Sequence, residues 1–232
     1  MNSRFSRTVS AVVVMAGLSF GGFIAIDDGS NPTGEQDFYE IYNDLFGGSY
    51  SSSDDLFSDH GVSDDDDNWW TESSTGGNVK VTVRFAGYGQ ELGVVDKDGN
   101  YTTVATAIAG GTTEFVTPVA IDVSGDFAFV EKLSGSGSSV GPWYSDDRGV
   151  TNGVDHFVAV DVTGAYNSTY NPSVSRAWMI AFEDLKSGGD HDYNDLVAIV
   201  TDVKPVPEAG TISMLGLSLI TLMGAAGFRK KQ

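Results

Sequence analysis

From Val79 onward the chain is cut into short apolar runs, each bounded by Gly, Asp, Asn or Ser, and most are too short for an ordinary helix. Val79-Lys80-Val81-Thr82-Val83-Arg84-Phe85 alternates apolar and polar residues with the period of a half-buried strand. Glu91 to Asp96 and Tyr101 to Thr106 flank Lys97-Asp98-Gly99-Asn100, and Asp-Gly is a strong hairpin-turn signal. Further strands are expected at Val116 to Val123, Phe127 to Leu133, Phe157 to Val162, Ala177 to Phe182 and Leu196 to Val203. Ser134 to Gly141 is Ser/Gly-rich and reads as a flexible loop. Eight or so short strands predict a mainly β chain, a β-sandwich or jelly-roll-like single domain.

One amphipathic helix is expected ahead of the strands. Across Thr33 to Gly48, Phe38, Ile41, Tyr42, Leu45 and Phe46 recur at helical spacing. Thr33 with Gln36 fits a capping box, and Gly47-Gly48 is a natural stop. Such a helix would pack over a sheet edge. Residues 49–78 are rich in Ser, Asp and Gly and read as loop, with Asp64 to Asp67 a solvated run. Trp69-Trp70 either lines the core or offers a face on which a sugar ring stacks.

Charge narrows the function. The chain carries 32 acidic residues against 13 basic ones. Five of those cations (Arg4, Arg7, Arg229, Lys230 and Lys231) lie at the ends, so residues 27–208 hold 8 basic against 32 acidic groups, a net of −24. That field repels phosphate backbones and argues against nucleic acid as a partner. The absence of cysteine excludes disulfide staples, thiolate zinc sites and thiol catalysis.

Both ends read as addresses. Arg4 and Arg7 precede an uncharged stretch from Val9 to Ile26, the pattern of a secretory signal peptide over 1–26, with an uncleaved anchor as the alternative. At the other end, Gly210 to Phe228 is uncharged, and as a helix it would span about 28 Å, close to the thickness of a bilayer core. Arg229, Lys230 and Lys231 then form a basic stop that would stay cytoplasmic.

Val206-Pro207-Glu208-Ala209-Gly210-Thr211, followed by Leu215-Gly216-Leu217 and the basic tail, resembles the PEP-CTERM sorting signal of Gram-negative bacteria. Ala209 stands where that motif has its second proline. A Gram-positive sortase signal of the Leu-Pro-x-Thr-Gly type is the runner-up. The resemblance implies an exosortase-type sorting protease as partner, a membrane helix over 210–228, and association with exopolysaccharide or biofilm material. The expected organisation is a signal over 1–26, a helix and acidic loop over 27–78, a β-sandwich module over 79–204, and a sorting signal over 205–232. Lys204 to Glu208 would be the linker.

The densest chemistry lies between two strands. Glu183, Asp184, Asp190, Asp192 and Asp195 place five carboxylates within thirteen residues. Two unit charges about 5 Å apart repel by roughly 0.8 kcal/mol in water and about 3 kcal/mol at an effective dielectric of 20, so a tight loop of this kind calls for a cation. Hard oxygen donors without cysteine favour Ca²⁺. Asp190, Asp192 and Asn194 match the first three ligand positions of an EF-hand, but Asp195 replaces its glycine and Thr201 its terminal glutamate. The expected metal set is therefore a hairpin site of Glu183, Asp184, Asp190, Asp192, Asn194 and Asp195. The alternative is an exposed acidic loop with turn hydrogen bonds. Asp96, Asp98 and Asn100 repeat the spacing, but there the Asp-Gly hairpin explains it.

The same segment resembles domain-of-unknown-function family 4114, through Phe182-Glu183-Asp184-Leu185, Gly188-Gly189-Asp190 and Tyr193-Asn194-Asp195-Leu196-Val197. His191 stands where an arginine is common in that family. Val154-Asp155-His156-Phe157-Val158-Ala159, Phe38 to Ser53 and Phe85-Ala86-Gly87-Tyr88-Gly89-Gln90 are similar to its upstream blocks. The resemblance implies a surface location and cation binding, with no reaction attached.

No nucleophile elbow, zinc-protease helix or phosphate loop is present in the sequence. The expectation is a non-enzymatic, exported surface or matrix protein, its β domain stabilised by Ca²⁺, with a structural or adhesive role toward extracellular polysaccharide. The competing class is a secreted hydrolase acting on extracellular glycans, which would use His156 or His191.

Overall fold

The computed structural model describes residues 34–60, 69–73, 76–83, 89–107, 119–134, 140–146, 156–170, 173–186 and 191–206. In chain order the elements are α1 (Phe38–Phe46), α2 (Ser53–His60), β1 (Trp69–Glu72), β2 (Gly77–Val83), β3 (Gly89–Asp96), β4 (Tyr101–Ala107) and β5 (Val119–Ile121). Then come β6 (Asp126–Ser134), β7 (Trp143–Tyr144), β8 (Phe157–Asp161), α3 (Thr163–Thr169), β9 (Ala177–Phe182), β10 (Leu196–Thr201) and β11 (Val203–Val206). Two antiparallel sheets form a β-sandwich. One has the order β11-β1-β6-β3-β4, with β7 also paired to β6, and the other has the order β5-β2-β10-β9-β8.

The main core lies between the sheets. Trp70, Leu92, Val94, Phe127 and Phe129 of the first meet Val79, Phe157, Ile180, Phe182, Leu196 and Val200 of the second. A second core covers the opposite face of the β8-β9-β10 sheet, where Val158, Val160, Met179, Ala181, Val197 and Ile199 pack with Phe38, Ile41, Leu45, Leu56 and Phe57 of α1 and α2. β9 and β10 are thus buried on both faces along their whole length. That double burial explains why Ala177 to Phe182 and Leu196 to Val200 are continuous apolar runs, unlike the alternating Val79 to Phe85.

Several expectations are corrected here. The first helix begins at Phe38, not near Thr33 (which lies outside the described residues), because Asp37 is the N-cap and Glu40 accepts its backbone N–H at 3.1 Å. It stops where expected, at Gly47, whose φ of 71° is left-handed. It also lies on a sheet face, since its apolar stripe matches the outer core rather than an edge. It is not alone: the Ser/Asp-rich stretch holds α2, anchored by Leu56 and Phe57, and α3 follows β8.

The division at residue 78 and the linker after Val203 give way as well. β1 supplies a strand before residue 79, and Lys204 to Val206 belong to β11, which pairs with β1 in the register Trp69↔Val206. Between β10 and β11, Asp202 turns the chain from one sheet to the other with a φ of 58°. Its backbone N–H donates to the Arg176 carbonyl, and its carboxylate accepts from the backbone N–H and hydroxyl of Ser175. Those bonds hold a non-glycine residue in a conformation it seldom adopts.

The expected signal segment, the acidic run Asp64 to Asp67, Pro207, Glu208, Ala209 and Gly210 of the sorting motif, the helix over 210–228 and the basic stop all lie outside the described residues. Among the described residues no helix is long and apolar enough to cross a membrane.

Candidate functional site

The site forms where the β9–β10 ladder ends. Phe182 and Leu196 are its last paired residues, so Glu183 and Asp195 come next in register at the mouth of the pair. Asp195 accepts the Asp184 backbone N–H at 2.8 Å, and Glu183 accepts that of Leu185 at 3.2 Å. One oxygen from each of Glu183, Asp184 and Asp195 lies within 4.8 Å of the others. A Ca²⁺–oxygen distance of about 2.4 Å allows one ion to touch oxygens spaced in that way.

Two of the three carboxyls are interior and Asp195 is half-buried. Glu183 is fully buried and Asp184 nearly so. Burial, followed by the charge of Asp195, pushes the Glu183 carboxyl well above the usual carboxylate range. Burial, followed by the charge of Asp184, does the same to Asp195. Asp192 adds to both shifts. Oε2 of Glu183 is buried with no N–H or hydroxyl donor, and the Glu183 carboxyl has a side-chain hydrogen bond with that of Asp195. An unsatisfied buried carboxylate oxygen is costly, and a cation would remove that cost.

Of the six ligands expected from the sequence, the structure gathers Glu183, Asp184 and Asp195. Asp190 lies outside the described residues. Asp192 and Asn194 are both buried, but Asn194 donates its side-chain amide to the Asp192 carboxylate at 2.7 Å and to the Gln36 carbonyl at 2.9 Å. Asn194 therefore works as a clip between the hairpin and the segment before α1. Burial of Asp184, Asp192 and Asn194 also overturns the exposed-loop alternative for these residues.

Three residues outside the expected ligand set complete the surroundings, one of them the His156 that the hydrolase alternative named. Gln90 on β3 donates to Asp184 Oδ2 at 3.2 Å across the sandwich. Trp143 Nε1–H donates to the Asp184 carbonyl at 3.1 Å. His156 Nδ1 lies 2.9 Å from the Glu183 carbonyl, which can only accept, so Nδ1 carries the proton. The contacts span 94, 41 and 27 positions of chain, and no local pattern marks them.

The other candidates resolve into structure. Asp96 accepts the backbone N–H groups of Asp98 and Asn100 and the side-chain amide of Asn100, and this last bond is the main reason its carboxyl titrates below the usual range. The second Asp-x-Asp-x-Asn run is thus a hairpin, as its Asp-Gly pair indicated. Trp70 is fully buried, edge-on to Phe129, Phe157 and Trp178, so it lines the core. Trp69 is half-buried on the outer face, with the Lys97 ammonium 5.2 Å from its ring.

No family model matches the chain, and no curated protein matches it. Among solved structures it is similar to the C-terminal domain of the BC2L-C lectin from Burkholderia cenocepacia. The match has 14% identity and a TM-score of 0.35, over 60% of this chain and 97% of that one. So distant a likeness leaves the site to be argued from its own side chains.

Proposed function

We propose that this chain is a calcium-stabilised β-sandwich module of an exported bacterial surface protein, with a structural or adhesive role toward envelope or extracellular polysaccharide. The orphaned Oε2 of Glu183, buried beside Asp184 and Asp195, carries the calcium part. Three carboxylate donors with no thiolate or imidazole among them suit a hard divalent cation, and their spacing suits Ca²⁺. Bound there, the ion would neutralise the clustered charge and tie the end of β9 to the start of β10, so its binding energy would add to folding energy.

The location rests on the two charged-then-apolar ends and on the resemblance to PEP-CTERM signals. In this reading an exosortase-type protease and the membrane are the partners of the C-terminal segment. β11 ends at Val206, the first residue of the sorting motif, so the sandwich would sit directly against its anchor. No reaction is assigned. Weighing against a hydrolytic role for His156 is its complete burial under Trp143.

The deciding experiment melts the full chain in excess Ca²⁺ and in chelator. With free ion at 100 times its dissociation constant, stabilisation approaches about 2.7 kcal/mol. Its loss in Glu183→Gln is the expected result, and an unchanged wild-type melt overturns the calcium reading. Co-sedimentation with extracellular polysaccharide tests the ligand, and failure to sediment with or without Ca²⁺ removes the adhesive part.

A further inference from the structure

The loop that supplies Asp195 to the carboxylate group also holds down the helical cap. Tyr193, two residues before Asp195, is 3% exposed and belongs to the outer core with Phe38, Ile41 and Leu56. Asn194 is bonded through its amide to the Gln36 carbonyl, one residue before the α1 N-cap. Within three consecutive residues, side chains go to the cap core, to the cap backbone and to the candidate ion. The backbone is held tightly while doing so: Tyr193 has a φ of 51° and His191 of 64°. A bulky residue adopts the left-handed region only when its surroundings enforce it.

From this we infer that calcium binding at Glu183, Asp184 and Asp195 is coupled to docking of the N-terminal cap on the β8-β9-β10 sheet, through Tyr193 and Asn194. The inference rests on the calcium reading above. With the ion bound, Asp195 is held in place and the residues before it present Tyr193 and Asn194 to the cap. Without it, no ion joins the Asp195 carboxyl to those of Glu183 and Asp184, the loop loosens and the start of α1 is held less firmly by the Tyr193 ring and the Asn194 amide. Coupling of this kind is reciprocal, so a docked cap strengthens calcium binding by the factor by which calcium strengthens docking. The far side of the cap has its own ties, from His60 Nδ1 to the Asp161 carbonyl and from the Tyr170 hydroxyl to the Leu45 carbonyl. The effect is therefore concentrated at the start of α1, near Gln36 to Tyr42.

Hydrogen exchange of the full chain, with Ca²⁺ and with chelator, tests the coupling, with calorimetry of Ca²⁺ binding run alongside. The Ile41 amide, bonded to the Asp37 carbonyl at 3.1 Å, reports on the first turn. Ca²⁺ is expected to slow exchange over residues 38–42 at least tenfold in the wild type. In Asn194→Ala the slowing should shrink several-fold while calorimetry still shows binding. Calcium binding with unchanged exchange at these residues in the wild type overturns the coupling and leaves the site intact, and this comparison stands even if the variant misfolds. An equal slowing in a folded Asn194→Ala also overturns it. No binding heat at all removes the site, and the coupling with it.

Discussion

The indole of Trp143 lies flat on the imidazole of His156, with ring centroids 3.5 Å apart and planes 3° from parallel. Through this stack the two rings present N–H donors to consecutive carbonyls, Trp143 Nε1 to Asp184 and His156 Nδ1 to Glu183. The backbone that carries two of the three clustered carboxylates is thereby fixed from outside the acidic segment. β7 and β8 bring the donors there, the first from one sheet and the second from the other.

Trp143→Phe keeps an aromatic face on His156 but removes one donor and leaves the Asp184 carbonyl short of a bond. A buried polar group left unpaired costs about 1–3 kcal/mol. Denaturant unfolding of the variant should show a loss in that range, together with weaker calcium binding. Wild-type stability and affinity would show that the contact does not position the site.

Glu183→Gln should act in opposite directions with and without the ion. In chelator it removes a buried carboxyl whose ionisation burial opposes, so the variant should melt at or above the wild-type temperature. In Ca²⁺ it loses a ligand and should melt lower than wild type. Parallel melting curves in the two conditions would contradict the assignment of Glu183 as a ligand.

The metal-free protein should become less stable as pH rises from 7 to 9. Burial, with the neighbouring carboxyls, pushes both Asp195 and Glu183 well above the ordinary carboxylate range, so the folded chain holds protons that the unfolded chain has already released. Stability falls with pH wherever the native state binds more protons, here from the ordinary carboxylate range up through neutral pH to the raised values of the pair. His156, shifted downward chiefly by burial, is neutral when folded and largely neutral when unfolded above pH 7, so it adds little slope between pH 7 and 9. Saturating Ca²⁺ should flatten the dependence. Denaturant midpoints at pH 7, 8 and 9, with and without chelator, provide the check.

Trp70→Ala should cost about 3–5 kcal/mol, the usual penalty for emptying a buried aromatic site. Trp70→Phe keeps a ring among Phe129, Phe157 and Trp178 and removes an Nε1–H that is buried without a partner, so it should cost much less. Urea titrations of both variants separate the contributions of ring packing and polar burial. Similar losses would mean that indole volume alone matters.

Much of the strand inventory was legible because each strand carries its signal locally. The Asp-Gly hairpin between β3 and β4 and the Gly47 helix stop were equally readable, since turn chemistry involves only a few neighbouring residues. α2 was not, because its sequence, SDDLFSDH, offers only Leu56 and Phe57 as apolar anchors among acidic and polar residues. It stands because those two side chains fit beside α1, with the Phe57 ring 5.9 Å from that of Phe38. Single strands of two to four residues, such as β1, β7 and β11, are too short to show a period and exist because a neighbouring strand pairs with them.

By itself, the sequence determined that this would be a turn-rich β chain, strongly acidic in its body, with carboxylates crowded between its last long strands and address-like ends. Period, turn residues and charge are properties of adjacent residues, and they survive without a fold. Only the tertiary structure decided which carboxylates meet. It gave the Asn194 amide to the Gln36 carbonyl and the Asp192 carboxylate, and it brought Gln90, Trp143 and His156 to Asp184 and Glu183 from remote parts of the chain. It also buried Glu183, Asp184, Asp192 and Asn194 of the acidic segment. The physical reason is that burial depends on which sheets and helices close over a segment, and that is set by pairings between residues far apart in the chain.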